Sequence, residues 1–352
     1  MPTQRLLQPD PAAATDPGTA SAAPPLLNLM IGAWVSQAIS VVAKLGIADL
    51  LENGPRSSRD LAQAVGVHSG ALYRLLRALA SVGVFAETEA GRFELTPMAA
   101  ALRTRAQDSL RDYAILLGEN WNWRAWGELR HSVATGESAL QHVMGMPVFD
   151  YFARHEEAGC VFDAAMTSRG NSENRAVAQA YDFSSRTIVD VGGGRGSLLA
   201  TILEQNPASF GIVLDLPHVK VGAEQVIHEA RLGDRCRFMS GDFFQQVPAA
   251  GDIYLLKKVI HDWDDARSQV ILAHCRAAMT DGARLLMLKH VIAPGNGPAI
   301  GKLSDLQMLV HTPGGRERSK AEYTALLAGA SFKLARIIPT GCTLSIIEAL
   351  PC

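Results

Sequence analysis

The residues best placed to do chemistry begin with a glycine-rich turn. The run Ile188-Val189-Asp190-Val191-Gly192-Gly193-Gly194-Arg195-Gly196 reads as a strand delivering a tight turn into a helix that starts at Ser197. Its glycines stand at 192, 194 and 196, a GxGxG spacing. A dinucleotide-binding turn reads GxGxxG, with the third glycine letting the helix pack close. That spacing is absent, which disfavours a nicotinamide dehydrogenase. Three acids then recur at the ends of successive strand-like runs. Asp190 ends the first run. Asp215, nineteen positions after Gly196 and followed by Leu216, ends the second, where a carboxylate can accept both ribose hydroxyls. Asp242, in Ser240-Gly241-Asp242-Phe243, follows the third, where it can accept from an adenine amino group while Phe243 covers the ring. Any one of these acids could be a simple turn former. Three of them beside a glycine turn, at the carboxyl ends of strands where open α/β sheets bind ligands, point to a nucleoside site.

These side chains require an alternating scaffold to hold them. Strand-like runs at 187–191, 210–214, 236–239, 252–256 and 283–289 are separated by segments long enough for crossover helices. That pattern predicts an open, mostly parallel sheet with helices on both faces. Runs at 332–338 and 343–347 are separated by only four residues, so they should form an antiparallel edge hairpin. Upstream, 102–181 reads as helical and aromatic, with Trp121, Trp123, Trp126, Phe149, Tyr151, Phe152 and Phe162 near Met144, Met146 and Met166. Such a density serves a core or the wall of a pocket for a flat apolar ligand.

The N-terminal third follows a different plan. Residues 26–51 show apolar positions three and four apart, a helix whose face must be buried, a partner subunit being one candidate. Ser57-Ser58-Arg59-Asp60 is a helix-start signal, and a second helix from Ser69 aligns Leu72, Leu75, Leu76, Leu79 and Val82. Short strands at 84–87 and 92–95 complete a winged helix. Its second helix offers only Tyr73, Arg74 and Arg77 to a nucleic acid, so a structural or dimerising role is favoured over a DNA-binding regulator.

Composition narrows the classes further. The 352 residues carry 33 Lys and Arg against 35 Asp and Glu, a net charge of -2 that speaks against a nucleic-acid protein. Five scattered cysteines with no CxxC pair fit a reduced, cytoplasmic protein. Residues 1–25, rich in Pro, Ala, Thr and Ser, read as a disordered lead-in and not as a signal peptide. No apolar stretch reaches the roughly 18 residues of a membrane span, so no membrane partner is expected. No cluster at metal-ligand spacing is found, so no metal is expected.

The set DVGGGRG, Asp215 in LDLPHV, GDFF, LLKKVIHDWDD and GGRERS resembles the small-molecule O-methyltransferases that include plant phenolic and bacterial polyketide and antibiotic-tailoring enzymes. The similarity runs from about residue 26 to 350. It implies S-adenosylmethionine as methyl donor, an α/β Rossmann-like methyltransferase domain and an N-terminal, all-helical winged-helix dimerisation domain forming a homodimer. The implied layout is a lead-in over 1–25, dimerisation over 26–105, a helical linker and substrate pocket over 106–182, and catalysis over 183–352. Gly192 matches the glycine near the donor's methionine portion, Asp215 the ribose acid, Asp242 and Phe243 the adenine contacts, and Lys257 the lysine at the strand end. Asp190, Gly194, Leu216 and Gly241 complete the expected donor set.

His261 matches the family's general base. A phenol with a pKa of about 10 is mostly neutral at pH 7, and an imidazole of about 6.5 is a suitable base for it. Two acids are expected to orient such a ring. Glu317, in Gly314-Gly315-Arg316-Glu317, is one, but Lys289 stands where the other belongs and joins the catalytic set with its role open. A cation there would weaken the imidazole as a base, or hold an anionic substrate group. Asp305, Met308 and Met166 match substrate contacts, with a core role, Asp305 pairing with Arg316, as the alternative. The expected reaction is O-methylation of a hydroxylated aromatic small molecule in specialised metabolism. N-methylation or a non-methylating use of the donor stays open because of Lys289.

Overall fold

The structure, a computed structural model, describes residues 23–249 and 251–352. Of the expected lead-in, residues 1–22 lie outside the described residues. The chain divides into two units, residues 1–104 and 105–352.

In the first unit, helix α1 (Ala23–Lys44) starts three residues before the expected position and carries no basic residue until Lys44. Within it Pro25–Lys44, 20 residues of mean hydropathy 1.7, is long and apolar enough to cross a membrane by length and composition. The expectation that no stretch reaches that length is thereby corrected. Asn28, Ser36, Gln37 and Ser40 interrupt the apolar run without introducing a charge. Leu26, Leu29, Met30 and Trp34 are exposed on the single chain, Trp34 by 74%. After α2 (Ile47–Leu50) and β1 (Arg56–Ser57), helix α3 (Ser58–Val65) starts at Ser57, whose hydroxyl accepts the Asp60 N–H at 3.1 Å. Helix α4 (Ser69–Ser81) buries Leu72, Leu76 and Leu79, the stripe its spacing predicts. Strands β2 (Phe85–Glu87) and β3 (Arg92–Leu95) form the wing, and β1 adds to give a sheet of order β1-β3-β2. The unit is a winged helix but not all-helical. Its third strand is two residues long, too short to leave a sequence signal. Helix α5 (Pro97–Ala100) follows, with Pro97 in its first turn.

The second unit opens with six helices where the sequence suggested one helical region: α6 (Arg111–Leu117), α7 (Asn120–Gly127), α8 (Leu129–Thr135), α9 (Ala139–Met144), α10 (Val148–Arg154) and the long α11 (Glu156–Ala180). Their aromatic residues form a core of their own, in which Trp121 meets Phe152 edge-on at 5.2 Å and Phe152 stacks on Phe162 at 4.7 Å.

The sheet then builds by alternation: β4 (Thr187–Val191), α12 (Ser197–Gln205), β5 (Phe210–Asp215), α13 (Lys220–Glu229), β6 (Cys236–Ser240), β7 (Ile253–Lys257), α14 (Asp265–Ala278) and β8 (Arg284–Lys289). Next come β9 (Val291–Ile292), α15 (Ile300–His311), β10 (Arg318–Ser319), α16 (Lys320–Gly329), β11 (Phe332–Pro339) and β12 (Ser345–Pro351). Strand order is β11-β12-β8-β7-β4-β5-β6, with β12 antiparallel to β8 and β11 antiparallel at the edge. The remaining pairs are parallel. Successive residues serve opposite faces: Val189, Leu256 and Met287 enter one core, Ile188, Leu255 and Leu286 the other. Burial on both faces explains why these strands read as near-continuous apolar runs. Strand order reverses at β4, so a crevice opens above its carboxyl end, between the β5 and β7 sides. A two-stranded parallel pair, β9 with β10, was not legible in the sequence. Its register of Arg318 on Val291 pins the 314–319 segment beside the end of β8.

Candidate active site

At one end of the crevice the glycine turn follows β4. Gly192 and Gly194 take φ of 69° and 56°, a left-handed conformation that side chains resist. A Cβ on Gly192 would lie 2.8 Å from Val259 Cγ2 and 3.3 Å from the Phe243 ring, whereas one on Gly194 would meet nothing within 4 Å. The turn is closed beneath Gly192 and open at Gly194. Asp215, at the end of β5, accepts the Gly194 N–H at 2.7 Å on Oδ2 and the Leu216 N–H at 2.7 Å on Oδ1. Burial raises its pKa while these two bonds oppose the rise. The Gly241 N–H bonds the Asp215 carbonyl at 3.0 Å, and Asp242 Oδ1 accepts the Phe244 N–H at 2.8 Å. Phe243 meets Trp263 edge-on at 6.4 Å.

Beneath the turn, both carboxylate oxygens of Asp190 are buried without a hydrogen-bond partner among the described residues. Burial pushes this acid up to about 7, with Lys257 opposing. The Lys257 ammonium bonds Asn174 Oδ1 at 2.5 Å and lies 3.6 Å from Glu173. Asn174 in turn donates to Ser197 Oγ at 3.2 Å, tying α11 to the start of α12. A nucleoside donor fits these residues: open space at Gly194, carboxylates beyond β5 and β6, and an aromatic face at Phe243.

The other end is buried and charged. His261 sits in a 3₁₀ turn, Ile260–Asp262, just past β7. With Asp264 capping α14 by accepting the Arg267 N–H at 2.8 Å, His261 takes no part in starting that helix. Its Nδ1 lies 2.8 Å from Glu317 Oε1, a carboxylate partner that makes Nδ1 the donor and Nε2 the acceptor. Ser304 Oγ donates to the same oxygen at 3.0 Å, and Asp305 Oδ1 accepts the Glu317 N–H at 2.8 Å. Asp305 therefore does not pair with Arg316, which instead bonds Asp265 and Glu322. Lys289, fully buried at the end of β8, places Nζ 3.3 Å from Glu317 Oε2.

The segment holding Glu317 is shaped for this contact. A Cβ on Gly315 would fall 2.2 Å from Thr312 Oγ1 and 2.4 Å from the His261 carbonyl, so only glycine lets the two backbones meet. Arg318, buried, donates to the carbonyls of Ile260 and Trp263 at 3.1 and 3.0 Å and to Asp265 at 2.7 Å.

Burial, and then the Lys289 charge, push His261 down to about 3 despite Glu317. Burial acts to raise Glu317, but Lys289 and His261 outweigh it and hold its carboxyl well below the usual range. Lys289 itself is pushed down to about 8, by burial first. Asp262, with Oδ1 3.4 Å from His261 Nε2, is pushed up to about 8 by burial. At neutral pH the imidazole is thus neutral and Glu317 ionised.

Met308 lies one turn beyond Ser304 and Asp305 on α15, largely buried. Met166 is partly buried and packs against the aromatic core of the helices, as do Phe149 and Phe162. That core reaches the base end through Phe149, which stacks on Trp263 at 5.7 Å. Among the described residues no group of three His, Cys, Asp or Glu side chains could hold a metal ion.

The sequence reading missed several of these residues. Asp262 lies in the very motif that carries His261. Glu173 and Asn174 lie three and four positions beyond Gly170, whose Cβ would lie 3.0 Å from the Lys257 ammonium, and their nearness to Lys257, 83 positions away from Asn174, left no signal in the sequence. Lys258, bonded to Glu173 at 2.7 Å, Ser304 and Arg318 gave none.

Comparison with known proteins shows which family the chain belongs to. Residues 126–333 match the O-methyltransferase domain model and residues 27–105 the O-methyltransferase dimerisation domain model. The chain is 45% identical over 327 residues to the phenazine O-methyltransferase PhzM of Lysobacter antibioticus, covering 93% of this chain and 95% of the relative. It is 37% identical over 347 residues to the 8-amino-8-demethylriboflavin N,N-dimethyltransferase of Streptomyces davaonensis, covering 97% and 98%. Among solved structures it is similar to NcsB1, an O-methyltransferase from neocarzinostatin biosynthesis in complex with S-adenosylmethionine and 2-hydroxy-5-methyl naphthoic acid. The TM-score is 0.77 at 31% identity, over 90% of this chain and 96% of that one. The chain belongs to the O-methyltransferase family that joins this catalytic domain to an N-terminal dimerisation domain, and it is a methyltransferase whose donor is S-adenosylmethionine.

Proposed function

We propose that the chain transfers a methyl group to a hydroxyl of an aromatic small molecule in natural-product biosynthesis, with His261 as general base. The observation that carries this reading is the 2.8 Å bond from His261 Nδ1 to an ionised Glu317, which leaves Nε2 as the ring's proton acceptor. The bound donor supplies the activated methyl on its sulfonium. Asp215 holds its ribose, Asp242 and Phe243 its adenine, and the turn at Gly192 and Gly194 with Asp190, Leu216, Gly241 and Lys257 the remainder. Alignment and removal of the hydroxyl proton are then the protein's task. Met166, Phe149, Trp263, Met308 and Asp305 form the acceptor's surroundings. Flat aromatic compounds named for the relatives, a phenazine in one name and a naphthoic acid bound in the other's complex, support that wall.

The enzyme acts as a homodimer, with the exposed apolar residues of α1 covered by the partner, in the cytoplasm, where its five free cysteines stay reduced. Transfer to nitrogen is a second reading, favoured by one specific observation. Lys289 weakens the base, and an aromatic amine needs no deprotonation before it attacks.

A matched panel of hydroxyl- and amino-substituted aromatics, read by S-adenosylhomocysteine release and by the position of the new methyl in the product, separates the two. Methyl groups on oxygen are expected. Turnover confined to amines would overturn the O-methylation reading.

A further inference from the structure

The base end carries more positive charge than a histidine base needs. Around His261 and Glu317 stand Asp262 on the same turn, Lys258 at the end of β7, Lys289 and His290 at the end of β8, Asp305 on α15 and Arg318 on β10. Most have other commitments. Lys258 is paired with Glu173, Arg318 with Asp265, and His290 Nδ1 with the Thr343 carbonyl at 2.9 Å. Lys289 has a single ion-pair partner among the described residues. Apart from its 3.3 Å approach to Glu317 Oε2, neither Lys289 Nζ nor that oxygen has a hydrogen-bond partner among the described residues. The carboxylate that orients the imidazole is therefore shared, His261 on one oxygen and a fully buried ammonium on the other.

We propose that Lys289 is a positioning residue that sets which acceptor the site can methylate: it fixes Glu317 against His261 and cancels that carboxylate's charge, so the site suits an acidic phenol, one whose ring withdraws electrons from the hydroxyl. The inference rests on His261 being the base. During transfer the acceptor's O–H proton passes to Nε2, the O–C bond forms as the S–C bond breaks, and the sulfonium becomes a neutral thioether. The imidazolium left behind gives its proton to water. With Glu317 unopposed, that imidazolium would be paired with a full negative charge. With Lys289 on the same carboxylate it is a buried cation beside a neutral pair, and the Asp262 carboxyl 3.4 Å from Nε2, kept protonated by burial at the assay pH, adds no compensating charge, so forming it is costly. An acceptor that parts with its proton readily compensates. The low pKa of His261, set by burial and then by Lys289, agrees with this arrangement.

Two measurements test it, one of them independent of turnover. In the full-length protein without donor, ¹⁵N-histidine NMR follows the titration of His261 in wild type, Lys289→Met and Lys289→Arg. The His261 midpoint is expected below pH 5 in wild type, at least one pH unit higher in the methionine variant, and restored by arginine. A midpoint unmoved by Lys289→Met would overturn the proposal. Should that variant fail to fold, the wild-type enzyme alone decides through a series of ring-substituted phenols spanning acceptor pKa values from about 7 to about 10. At pH 6.5 and saturating donor, kcat/KM is expected to rise at least tenfold toward the acidic end, and a flat series would overturn the proposal. Failure of the underlying reading looks different. No hydroxyl in the series would then be methylated although His261 still titrates as described, and the acceptor assignment would fall with it.

Discussion

The two ends of the crevice above β4 are built on opposite plans. At the donor end, above the buried Asp190 and Lys257, the backbone sets the geometry of the turn itself: left-handed glycines and Asp215 held by two N–H groups, with open space at Gly194. At the base end the geometry comes from buried charge, with His261, Glu317 and Lys289 brought from three segments and enclosed. A backbone cradle accepts a ligand with little rearrangement and tolerates water. A charged cluster has to be complete, because each buried charge left unpaired costs several kcal/mol. Damage should therefore spread through the fold from the base end and stay local at the glycine turn.

The largest expected effect tests that asymmetry at Arg318. Replacing it by methionine strands the Ile260 and Trp263 carbonyls and uncouples the His261 turn. Each stranded carbonyl costs about 1–3 kcal/mol, so a loss of about 2–6 kcal/mol is expected in denaturant unfolding, with activity lost alongside. Next is Gly315→Ala, whose methyl would push against the His261 carbonyl. Thermal or chemical unfolding should show about 1–3 kcal/mol of destabilisation, as for overpacked sites. At the donor end Gly194→Ala meets no neighbour and bears only its left-handed conformation, about 1–2 kcal/mol. Donor affinity by calorimetry should nevertheless fall, because the methyl occupies the open side of the turn. If Gly194→Ala proved more destabilising than Gly315→Ala, the contrast between the two ends would be wrong.

The same contrast explains what the sequence made legible. The donor end was readable because its signals are local: a glycine turn after a strand, then an acid at each following strand end, with apolar runs marking the sheet. His261 and Glu317 could be named from motifs, but their relation could not. They lie 56 positions apart and meet through β9 and β10, strands of two residues that no periodicity betrays. That Lys289 was out of place was visible. That it is fully buried against Glu317 depends on the end of β8 being roofed by the 314–319 segment, which is a tertiary fact. Asp262 was overlooked because its burial, not its spacing, makes it unusual. In the N-terminal unit the apolar stripe of α4 was legible, whereas the span-length character of α1 was obscured by four uncharged polar residues.

The most direct measurement compares His261→Ala with Asp215→Asn, each assayed for S-adenosylhomocysteine release at saturating donor and for donor binding by calorimetry. The account predicts opposite losses. His261→Ala should lose about 10²–10⁴ in turnover, the usual contribution of a general base, with the donor Kd unchanged. Asp215→Asn should weaken donor binding by about 10–150-fold, the worth of charged hydrogen bonds of about 1.5–3 kcal/mol, with turnover at saturation largely kept. Two variants that lose binding and turnover in the same proportion would contradict it.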